Sequence, residues 1–273
     1  MKTLIAVALV CALVPGCGQK RGAKEPAAKA PEATLPAAGS RRVEIACHDG
    51  TNLVGTFTPA TSAASAAPGA AAAPSARAPG VLLLHQMGGS RADWNALTPK
   101  LTGAGYSVLA TDLRGHGESL TVTGTRRTHE KFTAMDYLGM VDDAREALGF
   151  LRKQPGVDAR RIAIIGASIG ANCALLTAAQ DPVVKTAVLL SPGSDYHKIL
   201  TDPVARTCGR PVLLVASEGD AYSVESAKRL SLLMGGDEEA LKLYSGSAHG
   251  AGIFASHGEE LTGAILAWLK EKL

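Results

Sequence analysis

Short apolar runs alternating with helix-period stripes constrain this chain more than any other feature. Residues 81–84, 162–165 and 212–215 are wholly apolar, and 184–190 is apolar apart from Lys185 and Thr186. Runs of this length without polar alternation are strands buried on both faces. Residues 108–111 and 241–244 read as two further strands. Between them apolar residues return at helical spacing: Trp94, Leu97 and Leu101; Tyr137, Val141, Ala144, Leu148 and Leu151; Ala227, Leu230 and Met234; Leu261, Ile265 and Trp268. Asp136 is placed to cap the second of these helices. At the front, 43–47 and 52–58 flank His48-Asp49-Gly50-Thr51, where Asp-Gly signals a hairpin turn. The expected fold class is α/β: a mostly parallel, doubly wound sheet of about eight strands, opened by an antiparallel hairpin.

The ends and the padding read differently. Lys2 followed by the apolar stretch 4–14 has the form of an export signal, residues 1–16, too short to span a bilayer. It runs into Val14-Pro15-Gly16-Cys17, which resembles a lipobox whose cysteine, Cys17, is acylated. Cys11 is the poorer candidate because Val10 precedes it. Ordinary cleavage nearby and an uncleaved anchor are the alternatives. Residues 17–42, rich in Ala, Pro and Lys, form a solvated tether. A second Ala- and Pro-rich stretch, 59–80, reads as a disordered loop inside the domain 43–273. With Gly18 after the cysteine, resemblance to bacterial lipoproteins implies anchoring at the outer membrane, facing the periplasm.

The net charge of +3 belongs to the tether, where Lys20, Arg21, Lys24, Lys29, Arg41 and Arg42 face only Glu25 and Glu32. The rest of the chain carries no basic footprint for nucleic acid. Aromatic content of 4% leaves little for base stacking. Cys47, Cys173 and Cys208 remain after export, enough for one disulfide of undetermined pairing or for buried free thiols.

The chemistry centres on Gly166-Ala167-Ser168-Ile169-Gly170, which lies between a buried strand and a helix. In that context G-x-S-x-G describes a sharp turn that lifts a serine hydroxyl off the sheet edge at a helix N-terminus. A serine nucleophile needs a base. Of the seven histidines, His249 follows the last strand and so falls at the same sheet edge. His85 and His116 lie in other loops there and could line a pocket, while His257 is expected to face solvent. An orienting acid is supplied by Asp220 after the strand 212–215, with Glu218 and Asp195 as rivals in the same chain order. No H-E-x-x-H pattern or comparable ligand set marks a metal site, and no cofactor is expected.

These segments resemble the α/β-hydrolase superfamily over nearly all of 43–273, most closely its dienelactone-hydrolase-like and serine-aminopeptidase-like members. Leu84-His85-Gln86-Met87-Gly88-Gly89-Ser90 is similar to the oxyanion loop, with Gln86 where glycine is usual. Asp112-Leu113-Arg114-Gly115-His116-Gly117-Glu118-Ser119 is similar to the family's D-x-R-G-x-G-x-S turn, in which Arg114 is expected to pair internally. The resemblance implies oxyanion donors at the N–H groups of Met87 and Ile169. Dienelactone hydrolases proper use cysteine where this chain has Ser168, which favours ester chemistry. The expected activity is hydrolysis of a small soluble ester through Ser168, His249 and Asp220. A peptidase or amidase on the same residues, and an envelope lipoprotein that keeps the fold without catalysis, are the alternatives. The segment 191–210 is short, so only a minimal cap is expected. Residues 117–135 form a polar connection near the edge, where Arg126 or Arg127 could hold an acidic substrate.

Overall fold

The computed structural model describes residues 39–61, 77–236 and 240–273. The signal, Cys17, most of the tether and the middle of the Ala/Pro loop lie outside the described residues.

Among the described residues, twelve strands and six α-helices follow one another. They are β1 (Arg41–Ala46), β2 (Asn52–Thr58), β3 (Ala78–Leu84), α1 (Leu97–Gly103), β4 (Ser107–Thr111), β5 (Thr121–Val122), β6 (Thr125–Arg126), α2 (Ala134–Arg152), β7 (Val157–Ala167) and α3 (Ile169–Gln180). After these come β8 (Val184–Leu190), β9 (Asp195–Tyr196), β10 (Ile199–Leu200), α4 (Asp202–Ala205), β11 (Val212–Ser217), α5 (Ala221–Leu233), β12 (Leu241–Tyr244) and α6 (Phe254–Lys272). The main sheet runs β12-β11-β8-β7-β3-β4-β2-β5-β6, with β1 paired to β2. From β4 to β12 every ladder is parallel, and β2 pairs antiparallel with both β1 and β4. This is the α/β-hydrolase fold, with eight strands of substance and the two-residue β5 and β6 appended at one edge.

The apolar runs behave as their composition requires. Along β3, Leu82 and Leu84 point into one core with α2, α3 and α5, while Val81 and Leu83 point into a second core with α1 and α6. Ile162 and Ile164 share the first core, and Ala163 and Ile165 share the second. Alternation is invisible in such strands because both faces are dry. Trp268 of α6 pins the second layer to the sheet: its indole N–H donates to Thr186 Oγ1 on β8 at 2.7 Å.

Several local expectations shift. The first strand begins at Arg41 rather than 43, so the tether ends earlier; the Arg41 guanidinium lies over the Phe57 ring, 4.9 Å from its centroid. The far end of the Ala/Pro stretch is strand, since β3 starts at Ala78, and Pro79 is accommodated by an irregularity in register before Gly80. Trp94 lies in a separate 3-10 turn, Arg91–Trp94, rather than in α1. Thr133, not Asp136, caps α2; Asp136 sits at the third helical position and accepts from the Thr133 N–H at 2.8 Å. Cys47, Cys173 and Cys208 are buried free thiols, so no disulfide joins them. Residues 121–126 form the β5–β6 hairpin at the far edge of the sheet, beside β2. Arg127 is occupied by Asp136, donating to its two carboxylate oxygens at 2.8 and 2.7 Å.

The Asp112–Ser119 turn holds the β4 end in place. Arg114 is 3% exposed and reaches Asp143 of α2, which is fully buried, by Nε and Nη2 at 2.9 and 2.7 Å. A third contact joins Arg114 Nη1 to Asp49 at 3.0 Å. Burial works against the guanidinium charge, and the hydrogen bonds and charge of Asp143 outweigh it, so the Arg114 pKa stands above its ordinary value. Removing one member of such a pair strands a buried charge. Asp143→Ala is therefore expected to lower the unfolding free energy by about 3–5 kcal/mol. Urea denaturation measures this; a loss below about 1 kcal/mol would mean that Asp49 alone satisfies Arg114.

Candidate active site

In a parallel sheet all strands end at the same edge, so the loops after β3, β7, β11 and β12 meet there. The turn after β7 carries Ser168. Its φ of 53° and ψ of −120° lie in a region that side chains rarely occupy. The glycines on either side make the turn feasible. A Cβ on Gly166 would overlap the Gly170 carbonyl, and one on Gly170 would overlap the carbonyl oxygens of Leu84 and His85. The Ser168 N–H is held by Leu190 O on the neighbouring strand at 2.8 Å. With α3 starting at Ile169, the first N–H groups of that helix face the same side as the serine hydroxyl.

The structure brings Ser168, His249 and Asp220 into one hydrogen-bonded line. Ser168 Oγ lies 2.7 Å from His249 Nε2, and His249 Nδ1 lies 2.6 Å from Asp220 Oδ2. With the Nδ1–H donating to the carboxylate, Nε2 is free to accept from the serine. Asp220 is also the N-cap of α5, where its Oδ1 accepts from the Ser223 N–H at 3.4 Å. Partial burial works to raise its carboxyl, but the hydrogen bonds from His249 and Ser223 prevail and hold it below the usual carboxylate range. The rivals stand apart. Glu218 is exposed, and the Asp195 carboxylate accepts from the Lys198 N–H at 2.7 Å. The strand pairing of β11 and β12 continues past their ends: Glu218 N–H donates to Tyr244 O at 2.8 Å, and Gly219 N–H to Gly246 O at 2.7 Å. The loops bearing the acid and the base thus stay in register.

The loop after β3 is a tight turn in which Gly89 N–H donates to Gln86 O at 3.0 Å, with Gly88 at φ 72°. Met87 is its second residue, so its N–H is outside the turn's own hydrogen bond. Met87 and Ile169 follow adjacent strands, β3 and β7, on the Ser168 side of the sheet. Gln86 explains its own departure from glycine: its side-chain Oε1 accepts from the Ala251 N–H at 2.9 Å. From the other side, Ser191 Oγ accepts from the Gly250 N–H at 2.9 Å. The two residues after His249 are therefore tied to the ends of both β3 and β8. Sequence reasoning missed both ties, and the unusual glutamine was the one available signal.

The remaining histidines serve the scaffold. His85 is fully buried; its Nδ1 donates to Gln86 O at 2.7 Å and its Nε2 accepts from the Leu113 N–H at 2.9 Å. Burial pushes it down to about 4, so it is a neutral staple between the β3 and β4 loops rather than a pocket wall. His116 is likewise buried, pushed down to about 4, and stacked on His129 with centroids 4.0 Å apart. His257, expected to face solvent, sits at a kink in α6, where its Nε2 lies 2.9 Å from Ser245 O. The site itself is open, with the His249 side chain 41% exposed. The segment after β8 forms only the β9–β10 hairpin and the single-turn α4, a minimal cap.

Known proteins resemble this chain in sequence and in fold. The sequence model of the dienelactone hydrolase family matches residues 67–269. An uncharacterised protein of Mycobacterium tuberculosis is 32% identical over 169 residues, 62% of this chain and 51% of the relative. The chain thus spans about half the length of the first curated relatives it matches. Among solved structures, an esterase of Pyrococcus furiosus superposes with a TM-score of 0.65 at 18% identity, covering 85% of this chain and 91% of that one. A thermostable carboxyl esterase from Bacillus coagulans gives 0.66 at 12% identity, over 86% and 99%. Dipeptidyl peptidase 4 of Porphyromonas gingivalis gives 0.62 at 16% identity, over 86% of this chain and 35% of that chain. At these identities the structural likeness speaks for the fold.

The contact between the elbow and the β3 end yields a direct test. Gly170→Ala must push α3 away from Leu84 and His85 and displace Ser168 from His249. An error of about 1 Å in such a site costs about 100-fold in rate. Reactivity of Ser168 toward a fluorophosphonate is expected to fall by that order while the protein stays folded by circular dichroism. Labelling within about threefold of wild type would show that the helix adjusts without moving the serine.

Proposed function

The chain belongs to the dienelactone hydrolase family, a family of hydrolytic enzymes, and we propose that it is a serine hydrolase that cleaves a small carboxylic ester through an acyl-enzyme. The observation that carries this reading is the continuous line from Ser168 Oγ to His249 Nε2 and from His249 Nδ1 to Asp220, at 2.7 and 2.6 Å. Ser168 attacks the acyl carbonyl as His249 takes its proton. Asp220 keeps the imidazole in the tautomer that accepts at Nε2 and stabilises the imidazolium that forms. The tetrahedral oxyanion is received by the N–H groups of Met87 and Ile169, each worth roughly 3–4 kcal/mol in comparable sites. His249 then protonates the departing alcohol, and water enters by the same route to release the acid. The exposure of His249 and the short β9–β10 cap suit a substrate that is small and soluble, with no deep acyl tunnel.

Two measurements test this reading. Wild type is expected to label with a fluorophosphonate and to release p-nitrophenol from short acyl esters faster than it turns over aminopeptidase substrates. Ser168→Ala should abolish labelling and reduce turnover by about 10^4- to 10^6-fold. Persistent labelling of that variant assigns the nucleophile elsewhere, and preference for the peptide substrates makes the enzyme a peptidase on the same residues.

We further propose that Cys17 is lipidated and that the enzyme acts in the cell envelope, held at the outer membrane by its tether. The support is the apolar stretch 4–14 followed by Gly16-Cys17. Cys17→Ala should move the protein from the membrane fraction to the soluble periplasmic fraction. Retention of the variant on membranes would sink the lipid-anchor reading.

A further inference from the structure

The β9–β10 hairpin carries a tyrosine to the side of His249. The strap is fixed at three points. Asn172, fully buried in the first turns of α3 after Ser168, donates to Gly193 O and Ile199 O at 2.9 and 2.8 Å, and its Oδ1 accepts from the Gly193 N–H at 3.1 Å. Tyr222 of α5 accepts from the Asp195 N–H and donates to Asp195 O, both at 2.9 Å. At the tip, His197 stacks on Tyr137 of α2, with centroids 3.9 Å apart and planes 16° from parallel. The hairpin turn places His197 and Lys198 at φ 52° and 74°, a conformation that glycine or asparagine normally supplies. A chain strained in this way is held where it is by its anchors, and what it holds in place is Tyr196.

Tyr196 stands beside His249, the histidine that is hydrogen-bonded to Ser168. The Tyr196 hydroxyl lies 3.4 Å from both Ser191 O and Ser223 Oγ, long contacts that a better acceptor can replace. The ring stands edge-on to His249, at 90° and 6.4 Å between centroids. Gly193 makes room for it, since a Cβ there would lie 2.6 Å from the tyrosine ring. Burial raises the phenol above its ordinary value, so it stays an O–H donor. Sheet order decides what it can donate to. The oxyanion loop follows β3, on one side of β7; Tyr196 follows β8, on the other. Tyr196 therefore enters from the side of Ser168 opposite the Met87 loop, where its ring meets His249.

We propose that Tyr196 is a catalytic residue that stabilises the leaving group, an inference that rests on Ser168 being the nucleophile. When the tetrahedral intermediate collapses, the bond from the acyl carbon to the alcohol oxygen breaks and its electron pair goes to that oxygen. The proton on His249 Nε2 transfers to it. The Tyr196 O–H keeps its own proton and donates a hydrogen bond to the same oxygen while its charge develops. In the resting enzyme the hydroxyl rests against Ser191 O and Ser223 Oγ.

A pair of esters sharing one acyl group isolates this role, because a nitrophenolate departs without help and an alkoxide does not. Tyr196→Phe is expected to reduce kcat/KM for ethyl acetate by about 10- to 100-fold. For p-nitrophenyl acetate the reduction should stay below about threefold, and the rate of fluorophosphonate labelling should change as little. Equal losses on the two esters, no loss on either, or loss of labelling together with hydrolysis would each overturn the proposal, because each makes Tyr196 a wall or a prop. If wild type itself neither labels nor hydrolyses either ester, the nucleophile assignment falls first and this inference falls with it.

Discussion

Between Gly166 and Gly170 the backbone turns from a strand buried on both faces into a helix packed directly against the end of β3. No Cβ fits at either glycine, and Ser168 between them is forced to a positive φ. A turn of this kind costs about 1–3 kcal/mol in backbone strain. The strain persists because β7 and α3 are both built into the cores, with Ile162, Ile164, Ala171, Cys173 and Ala174 all buried. Everything else at the sheet edge takes its position from this turn. The first N–H groups of α3, the neighbouring end of β3 and the hydroxyl of Ser168 share one small region because the chain has no room to separate them.

The other loops are brought to that region and then tied. Parallel pairing extends beyond β11 and β12 to keep Asp220 and His249 together, and Gln86 and Ser191 hold the residues after His249 from either side. The oxyanion loop is in turn tied to the β4 end by the neutral imidazole of His85. Behind it, Arg114 binds the β4 turn to α2 through the buried Asp143 and to the first hairpin through the half-buried Asp49. The open edge of an α/β sheet is thus stiffened by polar contacts between loops, while the helices below are held by apolar packing. A hydrogen-bonded serine and histidine need that stiffness, since their alignment is sensitive to displacements smaller than a bond length.

The fold was legible because the chain punctuates itself. Apolar runs too short for helices, separated by helix-period stripes, admit few solutions other than a parallel sheet covered on both sides. Ser168, Asp220 and His249 were legible for the same reason, each lying just past a strand that had already been assigned. Local chemistry was harder to read. Asp136 looked like a cap and proved to be the partner of one, since either position places its carboxylate near the same helix end. His85 and His116 looked like pocket residues because they fall in edge loops, yet their rings turn inward and are buried. Short motifs report where a residue sits along the chain and are silent about which way its side chain turns.

By itself the sequence determined the class of fold and the chain order in which Ser168, Asp220 and His249 follow successive strands. Those properties follow from periodicity and from the position of glycines, which act on their nearest neighbours. Tertiary structure alone decided that Asp220 rather than Glu218 or Asp195 meets His249, that Gln86 and Ser191 brace the histidine loop, and that Tyr196 stands beside His249. Each of these depends on residues more than twenty positions apart. Their proximity is set by strand order and by how loops settle on one another, and no local pattern in the chain encodes it.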